Sequence, residues 1–242
     1  MTNLKDIFSS VQSGDIKQTV DLVNRAVKKD YPAAGILREG LVGGMMETER
    51  KFYRNEILDS EVLMAEQAMK AGLRLIMPVL EEGQDPSIGT VIIGTMEGDI
   101  RGTKKDIISI MMRSLGLKVI DLGISVSNIR FIEAAMEEKA QIIACTTALT
   151  TFLPQMKTLV QAAVQANIRG KTKLLFTGGP VTEWFCKSID ADLYAPDLIQ
   201  AAEIASEYCR KMGSPGNTDN RTPAPSVVQK EAAQMRAQER AQ

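Results

Sequence analysis

The sequence predicts an α/β protein in which a four-helix bundle precedes a doubly wound, parallel sheet of five strands. Residues 3–82 carry apolar side chains at helical spacing, for example Val20, Val23 and Val27. From residue 90 onward, short β-rich segments alternate with helical segments. This alternation is typical of βαβ units, which form parallel sheets covered by helices on both faces.

The helices of the bundle are predicted from their start signals. Asp15 begins the segment DIKQTVDLVNRAVKK, and Gln18 follows three residues later, an arrangement that resembles a capping box. Pro32 lies near the start of a third helix, and Asp59 or Ser60 is suited to the N-cap of a fourth. Because the connections are short, we expect the helices to pack as an antiparallel bundle.

The five strands are expected at residues 90–96, 118–123, 141–147, 173–178 and 192–196. The helices that follow them are expected at residues 103–115, 127–139, 154–167 and 197–212. Ligands of doubly wound sheets bind beyond the carboxyl ends of the strands, near the point where the strand order reverses. Functional residues are therefore expected in the loops at 96–104, 146–154 and 177–182.

The chain divides, on composition, into two domains and two connecting or terminal segments. A helical domain is predicted at 1–82 and an α/β domain at 90–212. Residues 83–89 are predicted to link them, and residues 213–242 to form a flexible tail, because GSPGNTDNRTPAPS is rich in Pro, Ser, Asn and Gly.

Composition excludes several classes of function. The chain has 29 basic and 30 acidic residues, so it lacks the one-signed charge typical of nucleic-acid and membrane-surface binding. No apolar run reaches the length of a membrane span, and the N-terminus lacks the apolar core of a signal peptide. The three cysteines are widely spaced, which favours a reducing compartment, and we expect a cytoplasmic protein.

The chain contains no histidine. It therefore lacks the commonest general base, the commonest metal ligand and every nucleophile pair that depends on an imidazole.

Each of the three loops admits a functional and a purely structural interpretation. Gly98 and Asp99 lie in a strand-to-helix loop that fits neither the P-loop nor the dinucleotide spacing, and a polar turn is the alternative. Thr146 and Thr150 place two hydroxyls at the end of the third strand, where β-branched residues are also ordinary. Gly178-Gly179 allows close approach of a ligand or simply a tight turn.

Taken in order, these motifs resemble the corrinoid (cobalamin-binding) methyl-carrier proteins of methyltransferase systems and the paired modules of methionine synthase. The resemblance covers about residues 5–212. It rests on the EGL and GM landmarks of the helical domain and on four later motifs: EGDIRGTKKDII, TTALTTFLP, FTGGPVT and DADLYAPDLIQA. The resemblance implies a helical cap followed by a flavodoxin-like, Rossmann-like domain that binds cobalamin.

The resemblance also implies roles for individual residues. In this family an Asp-x-His-x-x-Gly loop places a histidine under cobalt, a Ser/Thr loop hydrogen-bonds the displaced tail of the cofactor, and a glycine pair lets the tail pass into a tunnel beside the sheet. The helical cap shields the upper face. The residues expected at the cofactor are Leu63, Met64, Gly98, Asp99, Ile100, Arg101, Gly102, Thr146, Leu149, Thr150, Gly178 and Gly179.

This sequence departs from the family pattern at two positions. Arg101 stands at the histidine position and Lys104 at the glycine position. A guanidinium stays protonated and has no lone pair to offer cobalt, so Arg101 is not a lower ligand. Asp99 is expected to pair with Arg101 instead, unless both side chains face water.

Three consequences follow for the cofactor. Cobalamin binds base-off with water or nothing beneath the metal, or it binds base-on, or it does not bind and the fold serves docking. The surviving threonine and glycine loops favour the first alternative. The predicted function is to carry a methyl group on cobalt between a donor methyltransferase and an acceptor methyltransferase. The alternative is a non-catalytic protein that senses corrinoid or docks on a methyltransferase.

Overall fold

A computed structural model describes residues 3–81 and 88–213. The chain divides into two compact units, Met1–Asp85 and Pro86–Gln242. Most of the predicted linker at 83–89, and all of the predicted tail after residue 213, lie outside the described residues. Among the described helices, none combines the length and apolarity that crossing a bilayer requires.

The N-terminal unit is helical, as the sequence predicts. Its elements are α1 (Leu4–Gln12), α2 (Ile16–Val27), α3 (Ala33–Gly35), a π-helix (Ile36–Val42), α4 (Gly43–Tyr53) and α5 (Asp59–Glu81). The predicted third helix is thus a continuous run of α3, the π-helix and α4.

Side chains at the helix starts explain where the first two helices begin. Asn3 and Asp6 form a reciprocal capping box at α1. The Asp15 carboxylate accepts a hydrogen bond of 2.8 Å from the backbone N–H of Gln18 at α2. The Asp15 cap confirms the predicted helix start, whereas the full capping box occurs one helix earlier.

Close packing of α1 against α4 depends on a glycine. A Cβ atom added at Gly44 would lie 2.6 Å from the carbonyl oxygen of Phe8 and 2.9 Å from Cβ of Val11. The two helices therefore approach more closely than a larger side chain at position 44 would permit.

The C-terminal unit is built on a five-stranded parallel sheet. The strands are β1 (Gly89–Thr95), β2 (Leu117–Asp121), β3 (Ile142–Thr146), β4 (Lys173–Thr177) and β5 (Leu193–Ala195). Their order is β2-β1-β3-β4-β5 and every neighbouring pair is parallel. This is the doubly wound, flavodoxin-like topology that the sequence predicts, and its order reverses between β1 and β3.

Five α-helices and a 3₁₀ turn connect or follow these strands. They are α6 (Thr103–Ser114), α7 (Asn128–Glu137), the turn Thr150–Phe152, α8 (Leu153–Gln165), α9 (Glu183–Ser188) and α10 (Leu198–Gly213). All four predicted helices are present, with ends within two residues of the predicted positions. The short helix α9 and the 3₁₀ turn were not predicted.

Different helices pack on the two faces of the sheet. Ile92, Ile143 and Phe176 are fully buried in one cluster with Phe131 of α7 and Met156 of α8. Because side chains alternate along a strand, the intervening residues project to the other face, where α6 and α10 pack.

Candidate cofactor-binding site

The predicted functional loops lie together at the carboxyl edge of the sheet. Thr95, Thr146 and Thr177 are the last residues of β1, β3 and β4, and they stand in register across the sheet. The loops that follow β1 and β3 flank the reversal of strand order, which is where such sheets bind ligands.

Asp99 ties the first loop to the third-strand loop. Its side chain is only 1% exposed. One carboxylate oxygen accepts a hydrogen bond from the backbone N–H of Arg101 at 3.0 Å. The other accepts from the Thr147 hydroxyl at 2.9 Å and from the backbone N–H of Ala148 at 3.0 Å. Three donors therefore compensate for burying the carboxylate and hold the two loops in one arrangement.

The expected pairing of Asp99 with the Arg101 side chain is wrong. Within the described residues, Asp99 bonds the backbone N–H of Arg101, and no ion pair joins it to the guanidinium. Asp99 does not face water either, because it is buried. The Arg101 side chain is exposed.

The first loop is also fixed from the β2 side. The Thr95 hydroxyl donates to the carbonyl oxygen of Asp99 at 2.5 Å and accepts from the backbone N–H of Ser125 at 2.9 Å. The Ser125 hydroxyl in turn accepts from the backbone N–H of Gly98 at 2.9 Å. Gly98 has a positive φ of 86°, which glycine adopts without strain. The loop is thus held in place by hydrogen bonds to its neighbours.

Gly178 allows the loop after β4 to contact the loop after β3. A Cβ atom added at Gly178 would lie 2.0 Å from the carbonyl oxygen of Thr147, and its φ is 133°. Any side chain at this position would therefore collide with the backbone. Gly179 is exposed at the surface, so the two glycines of the predicted pair have different environments.

A row of buried threonines lies beneath these loops. Thr95, Thr146 and Thr177 are no more than 3% exposed. The Thr177 hydroxyl oxygen is enclosed and has no hydrogen-bond partner among the described residues. An unpaired buried hydroxyl costs free energy.

The other predicted residues are at the surface of the same edge. Ile100 is 74% exposed and Leu149 is 40% exposed. Thr150 is exposed at the start of the 3₁₀ turn, so it is not brought into the buried row with Thr146. Gly102 precedes α6, and a Cβ there would lie 2.9 Å from Cγ2 of Ile124.

Leu63 and Met64 belong to α5 of the N-terminal unit. Leu63 is 54% exposed and Met64 is 50% exposed. Their contact with a cofactor stays a prediction.

Two family models of B12-binding domains match the chain, one over residues 89–201 and the other over residues 4–77. Trimethylamine corrinoid protein 1 of Methanosarcina mazei is 32% identical over 214 residues, which cover 85% of this chain and 99% of that protein. The chain is a corrinoid protein.

Solved structures agree with this family membership. The monomethylamine corrinoid protein of Methanosarcina barkeri matches with a TM-score of 0.72 and 26% identity, over 84% of this chain and 96% of that one. A chain of the methanol:cobalamin methyltransferase complex of Methanosarcina barkeri matches with a TM-score of 0.50 and 23% identity, over 87% of this chain and 80% of that one. The second likeness is one of fold alone.

The carboxyl edge of this corrinoid protein fits its cobalamin-type cofactor. The unpartnered oxygen of Thr177 offers a hydrogen bond to a polar group, and exposed Ile100, Ile124 and Leu149 offer apolar surface to a macrocycle. The same edge offers no imidazole to cobalt, because the chain has no histidine, and the Arg101 guanidinium has no free lone pair.

Sequence reasoning missed two residues of this site. The sequence pattern predicted Thr146 and Thr150, whereas Thr147 carries the hydroxyl that binds Asp99. It also predicted the glycine pair and not Thr177, which precedes the pair. The signal for Thr177 is its position, since a polar residue ending an otherwise apolar strand lies at the ligand edge of a parallel sheet.

A buried lysine supports the start of α6 beside the first loop. Lys105 is 3% exposed, and its ammonium group donates to Asp106 at 2.6 Å and to Asp121 of β2. The pair of carboxylates compensates for burying the charge and ties α6 to the neighbouring strand.

The cysteine nearest the site is not reactive. Burial, together with the negative charge of Asp99, raises the pKa of the Cys145 thiol far above its usual range. Cys145 is 1% exposed, and its sulfur lies 2.9 Å from the sulfur of Met96. It therefore remains a protonated thiol that fills space in the core.

Proposed function

We propose that this corrinoid protein carries a methyl group on the cobalt of its cofactor between two methyltransferase proteins. One partner would take the methyl group from a donor such as a methylamine, methanol or a methoxy compound. The other would pass it to an acceptor such as a folate or a thiol. When bound, the cofactor supplies a cobalt centre that accepts and releases a methyl group.

The observation that carries the proposal is the ordered carboxyl edge of the sheet. Asp99, Thr147 and Gly178 join three loops through hydrogen bonds and one close backbone contact. These contacts suit a platform that keeps its cofactor while one partner protein replaces another. The relatives are named as corrinoid proteins for trimethylamine or monomethylamine, and this agrees with a carrier role.

We propose further that the cofactor binds with its tail base off cobalt and with no protein nitrogen beneath the metal. Arg101 supports this, since its guanidinium stays protonated and has no lone pair to offer cobalt. The Asp99 carboxylate accepts hydrogen bonds from two backbone N–H groups and one hydroxyl, where the family pattern has an imidazole as its partner.

The same replacement of histidine favours one alternative function. A protein that senses corrinoid, or that docks on a methyltransferase, has no need of cobalt that changes oxidation state. In that case the loops would be retained for binding alone.

Retention and methylation of the cofactor separate the two functions. Purified protein is incubated with hydroxocobalamin, separated from free ligand by gel filtration, reduced, and then exposed to methyl iodide. A carrier is expected to retain about one corrinoid per chain and to show the spectrum of a methylated cofactor. Retention without methylation would favour the sensor, and no retention in either redox state would contradict both corrinoid-binding functions.

A further inference from the structure

We propose that the Arg101 guanidinium binds the phosphodiester of the cofactor's nucleotide tail. This inference deepens the proposed function, because it requires bound cobalamin whose tail lies at the carboxyl edge of the sheet. It gives the arginine at the family's histidine position a role of its own, which is to favour the complete cofactor over corrinoids that lack a phosphate.

The first reason is that the Arg101 guanidinium has no partner within the described part of the chain. The side chain is exposed and forms neither a hydrogen bond nor an ion pair there. The Asp99 carboxylate accepts its hydrogen bonds from two backbone N–H groups and a hydroxyl. Glu97, the other acidic residue of this loop, is exposed, and no ion pair joins it to Arg101. The guanidinium is therefore able to pair with an anion from outside the protein.

The second reason is the position of the loop that carries Arg101. The loop follows β1, where the strand order reverses and where sheets of this kind bind ligands. The backbone N–H of Arg101 is bonded to Asp99, and the Asp99 carbonyl oxygen accepts from Thr95. Because the backbone is already held, binding an anion would cost the ordering of one side chain and not of the whole loop.

The third reason is that the neighbouring loops offer no other charge. The loops after β2, β3 and β4 contain no acidic or basic residue, and they comprise residues 122–127, 147–152 and 178–182. Two lysines follow Arg101 in the chain. Lys105 is buried and paired with two carboxylates, and Lys104 has an interaction of its own. An anion at this edge would therefore meet Arg101 as its counter-charge.

The chemistry of cobalamin gives the guanidinium one matching group. The side chains around the corrin ring end in neutral amides, whereas the nucleotide tail is joined through a phosphodiester that is ionised at neutral pH. An ionised group that loses water without a counter-charge is unfavourable. A guanidinium binds two phosphate oxygens at once through its planar fork of N–H donors. The two groups would thus neutralise each other.

The test compares three variants. Arg101→Gln removes the charge, and Arg101→Lys keeps the charge but removes the fork. Arg130→Gln is the matched control, because Arg130 is an exposed arginine of α7 whose guanidinium lies 3.4 Å from Glu137 and 3.9 Å from Glu133. Both arginines are exposed, so the urea midpoints of the three variants should stay close to that of the unaltered protein.

Each variant is titrated with three corrinoids at low salt. They are cobalamin, cobinamide phosphate, which keeps a phosphate but lacks the base, and cobinamide, which lacks both. Arg101→Gln is expected to weaken binding of the two phosphate-containing corrinoids about fivefold, as loss of a partly exposed ion pair does, and to leave cobinamide binding unchanged. Arg101→Lys should lose less affinity than Arg101→Gln. Arg130→Gln should leave all three affinities unchanged.

Salt supplies a second readout that a purely structural role of Arg101 would not change. Raising the ionic strength should weaken cobalamin binding by the unaltered protein, because dissolved ions screen an exposed charge pair. The same change should have less effect on Arg101→Gln, in which one charge of the pair is missing.

Three outcomes would overturn the inference while the proposed function stands. They are an unchanged cobalamin affinity in Arg101→Gln, an equal loss for all three corrinoids, and a loss for cobalamin alone, which would move the contact to the base or its sugar. If the unaltered protein binds no corrinoid in either redox state, the proposed function fails, and the role of Arg101 fails with it.

Discussion

At the scale of single residues, the site depends on a few contacts between loops that are distant in sequence. Asp99 accepts hydrogen bonds from Thr147 and Ala148, which follow it by nearly fifty residues. The motif order predicted that Asp99 and Gly178 matter. It did not predict Thr147 or the partner of Asp99, because which of several adjacent threonines faces a carboxylate depends on the turn geometry of two loops at once.

Gly178 offers the sharpest test at this scale. Gly178→Ala adds a Cβ only 2.0 Å from the carbonyl oxygen of Thr147, and it forces the alanine to a φ of 133°. We expect the free energy of unfolding to fall by about 3 kcal/mol or more, because neither backbone strain nor a backbone collision is relieved by rotating a side chain. Urea denaturation measures the change.

Gly170→Ala is the matched control for this substitution. An added Cβ at Gly170 meets nothing within 4 Å, so its stability should change by less than about 0.5 kcal/mol. Similar stabilities for the two variants would contradict the close contact between the third- and fourth-strand loops.

At the scale of secondary-structure elements, hydrophobic periodicity and cap residues predicted most of the strands and helices. The five strands and their four connecting or following helices were predicted because β-rich runs alternate with amphipathic ones. The π-helix at Ile36–Val42 was not predicted. Its hydrogen-bond pattern differs from that of an α-helix while its composition does not, so packing against neighbours decides it.

Helix packing in the N-terminal unit predicts that Gly→Ala changes stability in opposite directions at two positions. Gly44→Ala adds a Cβ 2.6 Å from the carbonyl oxygen of Phe8 on α1, so it should destabilise by about 2 kcal/mol despite the better helix propensity of alanine. Gly35→Ala adds a Cβ whose nearest atom is Cδ1 of Leu4 at 3.7 Å. It should stabilise the unit by up to about 1 kcal/mol.

Thermal or urea unfolding of both variants checks the sign. No destabilisation by Gly44→Ala would contradict the close approach of α1 and α4. Destabilisation by Gly35→Ala would contradict the free space beside Gly35.

At the scale of the whole molecule, one chain combines a helical unit and a parallel sheet unit that each match a B12-binding family model. The sequence alone indicated this family, because four motifs occur in order at successive strand ends. It also located the chain's departure from the family, the arginine at position 101. The effect of the arginine on the loop could not be predicted from the sequence, since the same residues allow either a side-chain ion pair or a backbone hydrogen bond to Asp99.

The central proposal is that this corrinoid protein holds cobalamin with no nitrogen beneath the cobalt. Electron paramagnetic resonance of the one-electron-reduced, protein-bound cofactor tests it directly, because an axial nitrogen splits the cobalt lines into triplets and oxygen or an empty position does not. We predict no triplet splitting in the unaltered protein and its appearance in Arg101→His. Triplets in the unaltered protein would contradict the account, since a nitrogen, from the tail base or elsewhere, would then occupy the lower face.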